Sequence, residues 1–310
     1  MSKYNLRFDL TESTTNNPVD SEKIYHSALI RGGSKESFAQ ILDVKDKARV
    51  RKHNFGDVLQ ADGCTFNAQG AGALTEKLVD ACPIKIQVEV CQSTIESSYL
   101  AHEMQSGSNN ADFLPAAFQD YFLSKLSEKM SSDFETLVWQ GNTAVTSPAQ
   151  VYPNTLCDGL VKQFTADVDV IDVTGTTVTS SNVIVELNKI YAAIPAEILF
   201  SPDLVIYVST NILAAYKQAV AAASAEAYYT KDAEPEFLGI RLMLAQGLAV
   251  NTAVAAETTN LFLISDLMSD FDDVRVLPQM DVTGDDTVRI TGRVKFAVSY
   301  AYSAEVVLYV

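Results

Sequence analysis

The sequence predicts an α+β protein, and three observations carry that prediction: one long helical stripe from Phe113 to Gln140, a stretch after it in which short strands and helices alternate, and a strand-rich ending that reaches Val310. Residues 1 to about 40 are polar, with Asn16-Asn17-Pro18 and Gly32-Gly33 as breaks and no sustained period. They read as an extended arm that takes its order from other surfaces, with Gly32-Gly33-Ser34-Lys35 as a flexible joint.

Ala39–Val44 is expected as a strand that enters a segment rich in positive charge: Lys45, Lys47, Arg49, Arg51 and Lys52, with Asp43 and Asp46 between them. The two-residue period of an extended ribbon puts Lys45, Lys47, Arg49 and Arg51 on one face and Val44, Ala48 and Val50 on the other. A hairpin projecting from the body is the simplest shape. Its charge has three readings: a contact with acidic neighbouring subunits, a contact with DNA, or a solvated strand face.

From Cys82, Ile84-Lys85-Ile86-Gln87-Val88-Glu89-Val90 alternates strictly, which predicts a half-buried strand. Ser97–Gln105 is a short helix candidate, and Ser106-Gly107-Ser108-Asn109-Asn110 suits a turn. The long helix follows, capped by Asn110 or Asp112. Phe118, Phe122, Leu126, Met130, Phe134 and Val138 recur every four residues, a stripe that predicts core packing. At 1.5 Å per residue, about twenty-eight residues make a rod of roughly 40 Å. Asp120, Glu128, Asp133 and Glu135 fall at positions read as exposed, which makes them candidate acceptors for the basic ribbon of a neighbour.

Beyond Gly141, Ser180-Ser181-Asn182 can cap a helix with Val183, Leu187, Ile190 and Tyr191 on one face, closed by Pro195. Leu204–Val208 is a buried strand, Ser209-Thr210-Asn211 opens a helix through about Ala223, and Ile240–Leu244 and Leu261–Ile264 are further strands. Thr287–Thr291, Lys295–Tyr300 and Glu305–Val310 read as strands, the last paired in a sheet.

Composition narrows the function. The chain has 310 residues, 47% hydrophobic and 20% charged, which is ordinary for a globular protein. A net charge of −16 argues against a protein whose main task is to grip nucleic acid, so any contact with DNA is local. No apolar run reaches eighteen residues and the opening MSKYNLRFDLTEST lacks a signal-peptide core, so a soluble protein assembled in the cytoplasm, with no membrane partner, is expected. Cys64, Cys82, Cys91 and Cys157 lack metal-ligand spacing and read as reduced, buried thiols.

Catalytic signatures are missing. His102-Glu103 has no second histidine to complete a zinc-protease motif, and there is no nucleophile elbow or phosphate loop. Asp270, Asp272, Asp273, Asp285 and Asp286 lack the glycine and distal glutamate of a calcium loop and read as solvated turns. No cofactor and no metal are expected.

Taken in order, these residues resemble the major capsid proteins of tailed bacteriophages, the Hong Kong phage-type capsid fold shared with encapsulins and the herpesvirus shell floor. The resemblance covers nearly the whole chain. The segment from Cys64-Thr65-Phe66 through Cys82–Ile86 to Cys91 and Tyr99-Leu100 is also similar to capsid sequences of some phages of Bacteroidetes hosts. The resemblance implies an N-terminal arm at 1–40, an extended hairpin (E-loop) at 41–72, a peripheral domain at 73–154 and 286–310 with a spine helix at 113–140 and a long β-ribbon, and an axial α+β domain at 155–285. The polar turn from Tyr228 to Glu236, with Lys231, Asp232, Glu234 and Pro235, would then form the tip at a capsomer centre. The implied function is self-assembly as hexamers and pentamers into an icosahedral shell around double-stranded DNA, with portal, scaffolding and decoration proteins as further partners. The chain starts close to the arm, so a separate scaffolding protein, or none, is expected, and no sequence feature supports an intersubunit crosslink. The alternative is an encapsulin-like nanocompartment shell or another virion part; an enzyme without recognisable motif stands third.

Overall fold

A computed structural model describes residues 33–56, 59–62, 64, 70, 72–91, 116–145, 154–223, 235–266, 275–279, 283–285 and 287–310. The expected helix at Ser97–Gln105, the helix cap at Asn110 or Asp112 and the arm before residue 33 lie outside the described residues. A short turn of 3-10 helix, Ser34–Ser37, leads into β1 (Ala39–Ile41). Next come β2 (Lys47–Asn54), β3 (Ala73–Asp80), β4 (Cys82–Cys91) and the long helix α1 (Ala116–Gln140). The chain continues through α2 (Leu160–Ala166), β5 (Ile171–Val173), α3 (Val183–Ala193), β6 (Leu204–Val208) and α4 (Thr210–Ala223). It closes with β7 (Glu236–Phe237), β8 (Ile240–Leu244), β9 (Ala253–Glu257), β10 (Leu261–Ser265), β11 (Arg275–Pro278), β12 (Thr287–Tyr300) and β13 (Val307–Tyr309).

These strands form two sheets and a separate hairpin. The first sheet is built on β12, a strand of 14 residues. β4 pairs antiparallel with it from Cys82–Phe296 to Cys91–Thr287, β11 takes the opposite edge, and β10 continues from Phe296 to Tyr300 with β1 parallel beside it. The strict alternation read in β4 holds: Ile84, Ile86, Val88 and Val90 turn inward while Lys85, Gln87 and Glu89 are exposed. The two strands expected before and after Gly292 are one, because Gly292 sits in register opposite Ile86 and interrupts nothing.

α1 lies on the inner face of this sheet. Its 25 residues span about 37 Å. Met130, Phe134, Leu137, Val138 and Trp139 are buried, and the Phe134 ring packs 5.5 Å from that of Phe296 on β12. Leu126 is partly buried on the same core, so the four-residue stripe reads correctly from Leu126 to Val138. The side chains of Phe118 and Phe122 lie outside the described residues.

The second sheet runs in the order β5, β13, β9, β6, β8, β7. Its centre is β6, Leu204–Val208, all five residues buried, as a continuous apolar run predicts for a strand covered on both faces. α3 and α4 contribute Val183, Leu187, Ile190, Ile212, Ala215 and Ala219 to the core over this sheet. β7 and β8 are joined by Leu238 and Gly239, whose φ angles of 50° and 85° are those of a tight two-residue hairpin.

The chain crosses between the sheets three times, from β4 through α1 and α2 to β5, from β9 to β10 and from β12 to β13, and Asn260 clamps the last two crossings together. Its side-chain oxygen accepts the N–H groups of Ala301 and Tyr302 at 3.0 and 2.7 Å, and its amide donates to the Tyr302 carbonyl at 2.8 Å. Buried backbone groups need such partners where strand pairing lapses. The crossings also revise the expected partition. β10 and β11, within the segment 155–285, belong to the first sheet, and β13, within 286–310, pairs with β5 and β9 in the second.

The expectation of four reduced, buried thiols is corrected. Cys64 and Cys91 are exposed, and Cys82 on β4 meets Cys157 before α2 sulfur to sulfur, with the Cα atoms 6.0 Å apart.

Replacing Phe134 with Ala removes the ring that packs on Phe296 of β12, and the variant is expected to lose about 3–5 kcal/mol in denaturant unfolding. An unfolding midpoint equal to that of the parent would refute this packing.

Candidate functional site

The charged ribbon of the sequence is the strand β2, returned by β3 in register from Lys47–Asp80 to Asn54–Ala73. The alternation read from the sequence is correct: Lys45, Lys47, Arg49 and Arg51 are exposed, while Val44, Ala48 and Val50 are buried. Val44 and Ala48 join Ile264 and Ala297 in a small core that seats the hairpin base on the first sheet.

Two details change the reading of its charge. Lys52 does not share the outward face. Its Nζ lies 5.3 Å over the Tyr302 ring, and Tyr302 donates its hydroxyl to the His53 carbonyl. Lys77, on the same inward side of β3, stands 3.8 Å over Tyr300. Burial lowers the Lys77 pKa, partly offset by Asp167. Tyr300 in turn donates to Asp167 at 2.7 Å, which holds that carboxyl below its ordinary pKa. Two cation–π contacts therefore tie the hairpin to the end of β12.

On the outward face, β3 supplies acids of the same chain. Lys47 pairs with Asp80 at 3.1 Å, and Glu76 takes both Arg51 at 3.1 Å and Arg49 at 3.7 Å. Leu74 and Leu78 are exposed and share this face, in register with His53 and Arg49. The basic row is thus held together within the hairpin, whereas the sequence reading left it to neighbours.

The candidate acceptors on the long helix divide. Glu128 is exposed and pairs with Lys125 at 2.8 Å; Asp133 pairs with Lys129 at 2.6 Å. The side chain of Asp120 lies outside the described residues, as do Lys231, Asp232 and Glu234; Pro235 is half-buried and its carbonyl accepts the Leu242 N–H. Glu135 is no exposed acceptor. It is buried, and it anchors the chain that precedes the hairpin.

That anchor is absent from the sequence reading. Glu135 Oε1 accepts the Ser34 N–H at 3.0 Å and also the Ser34 hydroxyl, whose oxygen accepts Trp139 Nε1–H at 2.7 Å. Ser37 donates to the Ser34 carbonyl and meets the Tyr207 hydroxyl at 2.6 Å. Lys35, fully buried, donates to the Ser131 carbonyl and hydroxyl, both at 3.0 Å. Gly33, at φ 76°, lies so close that a Cβ there would meet the Glu135 carboxylate. The segment read as a flexible joint is therefore a buried lock. The signals that point to it are the single tryptophan, four residues from Glu135 on the same helix face, and the run Gly33-Ser34-Lys35.

Burial lowers the Lys35 pKa from 10.5 to about 8 and pushes that of Tyr207 up to about 12. Nothing in these networks assembles a nucleophile with a base, and among the described residues no group of three or more His, Cys, Asp or Glu gathers to hold a metal.

No protein family profile and no curated protein matches this chain. Solved structures do match. A chain of the satellite phage P4 procapsid, solved with its size determination protein, is 12% identical, with 97% of this chain and 98% of that one covered and a TM-score of 0.57. The capsid of a native GTA particle gives 10% identity, coverage of 91% and 89%, and a TM-score of 0.55. A virus-like particle from Pyrococcus furiosus gives 10% identity, coverage of 96% and 98%, and a TM-score of 0.52. At such identities the likeness is one of fold: the chain folds as capsid and virus-like-particle proteins do, over nearly its whole length.

The lock has a pH signature. With a folded pKa near 8 against 10.5, Lys35 is charged in both states below pH 8, and the folded state bears the full cost of burying that charge. Between those values the unfolded chain holds a proton that the folded chain has released, so stability rises with pH. Replacing Lys35 with Met is expected to flatten the rise between pH 8 and 10.5 in chemical denaturation. A parent and variant with parallel profiles would contradict the burial of a titrating amine. Glu135→Ala strands Ser34 and Lys35 and is expected to cost about 3–5 kcal/mol, read by the same unfolding curves.

Proposed function

We propose that this chain is a major capsid protein that assembles as hexamers and pentamers into an icosahedral shell enclosing double-stranded DNA. One observation supports this above the others. The similarity to the phage P4 procapsid chain covers both chains almost end to end, so the likeness is one of the fold as a whole and not of a single part of it. On this reading, residues 47–80 are the extended hairpin, α1 is the spine helix, the sheet of β12 is the peripheral unit and the sheet of β6 is the axial unit. The segment with Lys231, Asp232, Glu234 and Pro235 then sits at the capsomer centre. Portal, scaffolding and decoration proteins are further partners, and the host is a bacterium. The subunit acts as a building block without catalytic chemistry.

The likeness to the Pyrococcus furiosus virus-like particle favours a second reading, an encapsulin-like shell without DNA. Negative-stain electron microscopy of the purified chain, with nuclease-resistant nucleic acid measured in the same particles, separates the two. Closed shells that protect DNA when produced with a packaging system support the capsid. DNA-free shells that retain a host protein support the compartment, and a persistent monomer sinks both.

The hairpin is proposed to dock on the neighbouring subunit through Lys45, Lys47, Arg49 and Arg51, with Leu74 and Leu78 in the contact. Reversing Lys47, Arg49 and Arg51 to Glu alone also breaks their pairing with β3. A compensated variant that adds Glu76→Lys and Asp80→Lys keeps the hairpin paired with its polarity flipped. The compensated subunit is expected to keep its circular dichroism while shells fail, or form only in salt that screens the mismatch. Normal shells at every salt concentration would rule the docking out.

A further inference from the structure

The sheet of β4 and β12 has two faces, and among the described residues α1 covers one and no element covers the other. On the other, β12 presents Arg289, Thr291, Arg293 and Lys295 at two-residue intervals, a rise of about 6.8 Å per step. Beside them β4 sets Glu89 opposite Arg289, Gln87 opposite Thr291 and Lys85 opposite Arg293. Lys85, Glu89, Arg289 and Arg293 are exposed, and Thr291 and Lys295 are half-buried. Only Glu89 is acidic, and Arg289 occupies it at 3.2 Å. Lys295 turns toward the hairpin base and donates to the Lys45 carbonyl, which extends the strip toward the exposed Lys45.

The central pair is the informative one. Lys85 and Arg293 are like charges directly opposite one another across two strands, an arrangement that destabilises an isolated sheet. Among the described residues neither has an acidic partner, although the same sheet places Arg289 against Glu89 two steps along. Four cations against one anion stand here on a chain whose net charge is −16, so the rest of the chain taken together carries an excess of carboxylates. The anionic surface most abundant around such a molecule is another copy of itself. A duplex is the weaker candidate, because the same net charge repels phosphate at longer range.

We propose that the uncovered face of β4 and β12, centred on Lys85 and Arg293, is a docking site for a carboxylate cluster on a second copy of this chain. The proposal rests on the reading that the chain assembles with itself, and it adds a contact separate from the hairpin. A carboxylate set between the two side chains cancels their repulsion and accepts hydrogen bonds from both the ammonium and the planar guanidinium.

The test combines cross-linking with charge reversal. Isotopically heavy and light copies are mixed, assembled and treated with a zero-length carbodiimide, which joins an amine to a carboxylate only where they touch. Lys85 is expected in heavy–light peptides with Asp or Glu. Lys85→Glu with Arg293→Glu is expected to slow assembly at low salt by on the order of tenfold, less so as salt rises, with the subunit's circular dichroism unchanged. Lys85→Gln with Arg293→Gln, which only removes the charge, is expected to fall between this variant and the parent. Support requires both the cross-link and the slowed assembly. If shells form and cross-link elsewhere while Lys85 stays unlinked, or if the reversed variant assembles at the parental rate, the docking site is overturned and self-assembly stands. If Lys85 is shielded from acetylation only when duplex DNA is added, the face belongs to nucleic acid and the proposal fails. If no assembly forms under any condition, the self-assembly reading fails and this site falls with it.

Discussion

The segment that leads into β1 and the hairpin is fastened to the long helix at Glu135. This carboxylate lies in the middle of the long helix's buried face, takes both polar hydrogens of Ser34 and shares that serine with Trp139. Removing a carboxylate and an ammonium from water costs several kcal/mol each, so a junction containing Glu135 and Lys35 persists only while its hydrogen bonds are made. The second sheet docks at the same place. Gly247, beyond β8, passes so near the Glu135 carbonyl that a Cβ would collide with it, and the Gln140 side chain donates to the Gly247 carbonyl at 2.7 Å. One residue thus fixes where the segment before β1 enters the body, and its turn of helix fixes where the second sheet approaches.

From that junction the geometry propagates by pairing. With Ser34–Ser37 locked, β1 must leave beside β10, and the hairpin base lands on Ile264 and Ala297. Asn260 holds the last two crossings that carry the chain between sheets, so β12 and β13 cannot shift independently. β12 carries the constraint on: Phe296 lies under Phe134, and four residues further along Tyr300, with Tyr302 just beyond it, receives the lysines of the hairpin. The hairpin is therefore aimed by the same strand that the long helix packs against.

What was legible in the sequence followed from local period. The stripe on α1, the alternation of β2 and β4, the apolar run of β6 and the apolar face of α3 all depend on neighbours within a few residues, whereas the expected cap of α3 does not form: the Asn182 side chain turns back to Thr179. β3 was missed because Leu74 and Leu78 have the four-residue spacing of a helix and both face outward on the hairpin. The role of Glu135 was hidden for a different reason: its partner Ser34 is 101 residues away, and an acid one position from an apolar stripe looks solvated. Strand membership was equally unreadable. Val307–Tyr309 is as apolar as any core strand, but nothing local says that it joins β5 and β9 instead of extending the first sheet. The site was half legible: which hairpin residues point outward could be read, but not that Glu76 and Asp80 answer them.

The distribution of charge decides what such a subunit can do alone. A flexible acidic protein folds a basic loop back onto its own carboxylates, and between β2 and β3 that happens locally. The face beside it has no such freedom, because Lys85 and Arg293 are fixed on opposed strands of a sheet whose other side is packed against the helix. Rigid strands cannot bend to bring the acidic remainder of the chain to them. Their field extends only about 8–10 Å into physiological salt, so whatever neutralises it must come into contact. Folding relieves the repulsion where a return strand is available and leaves it where none is. The unrelieved part stands beside the projecting hairpin, where the proposed second copy would bring the carboxylates that this face lacks.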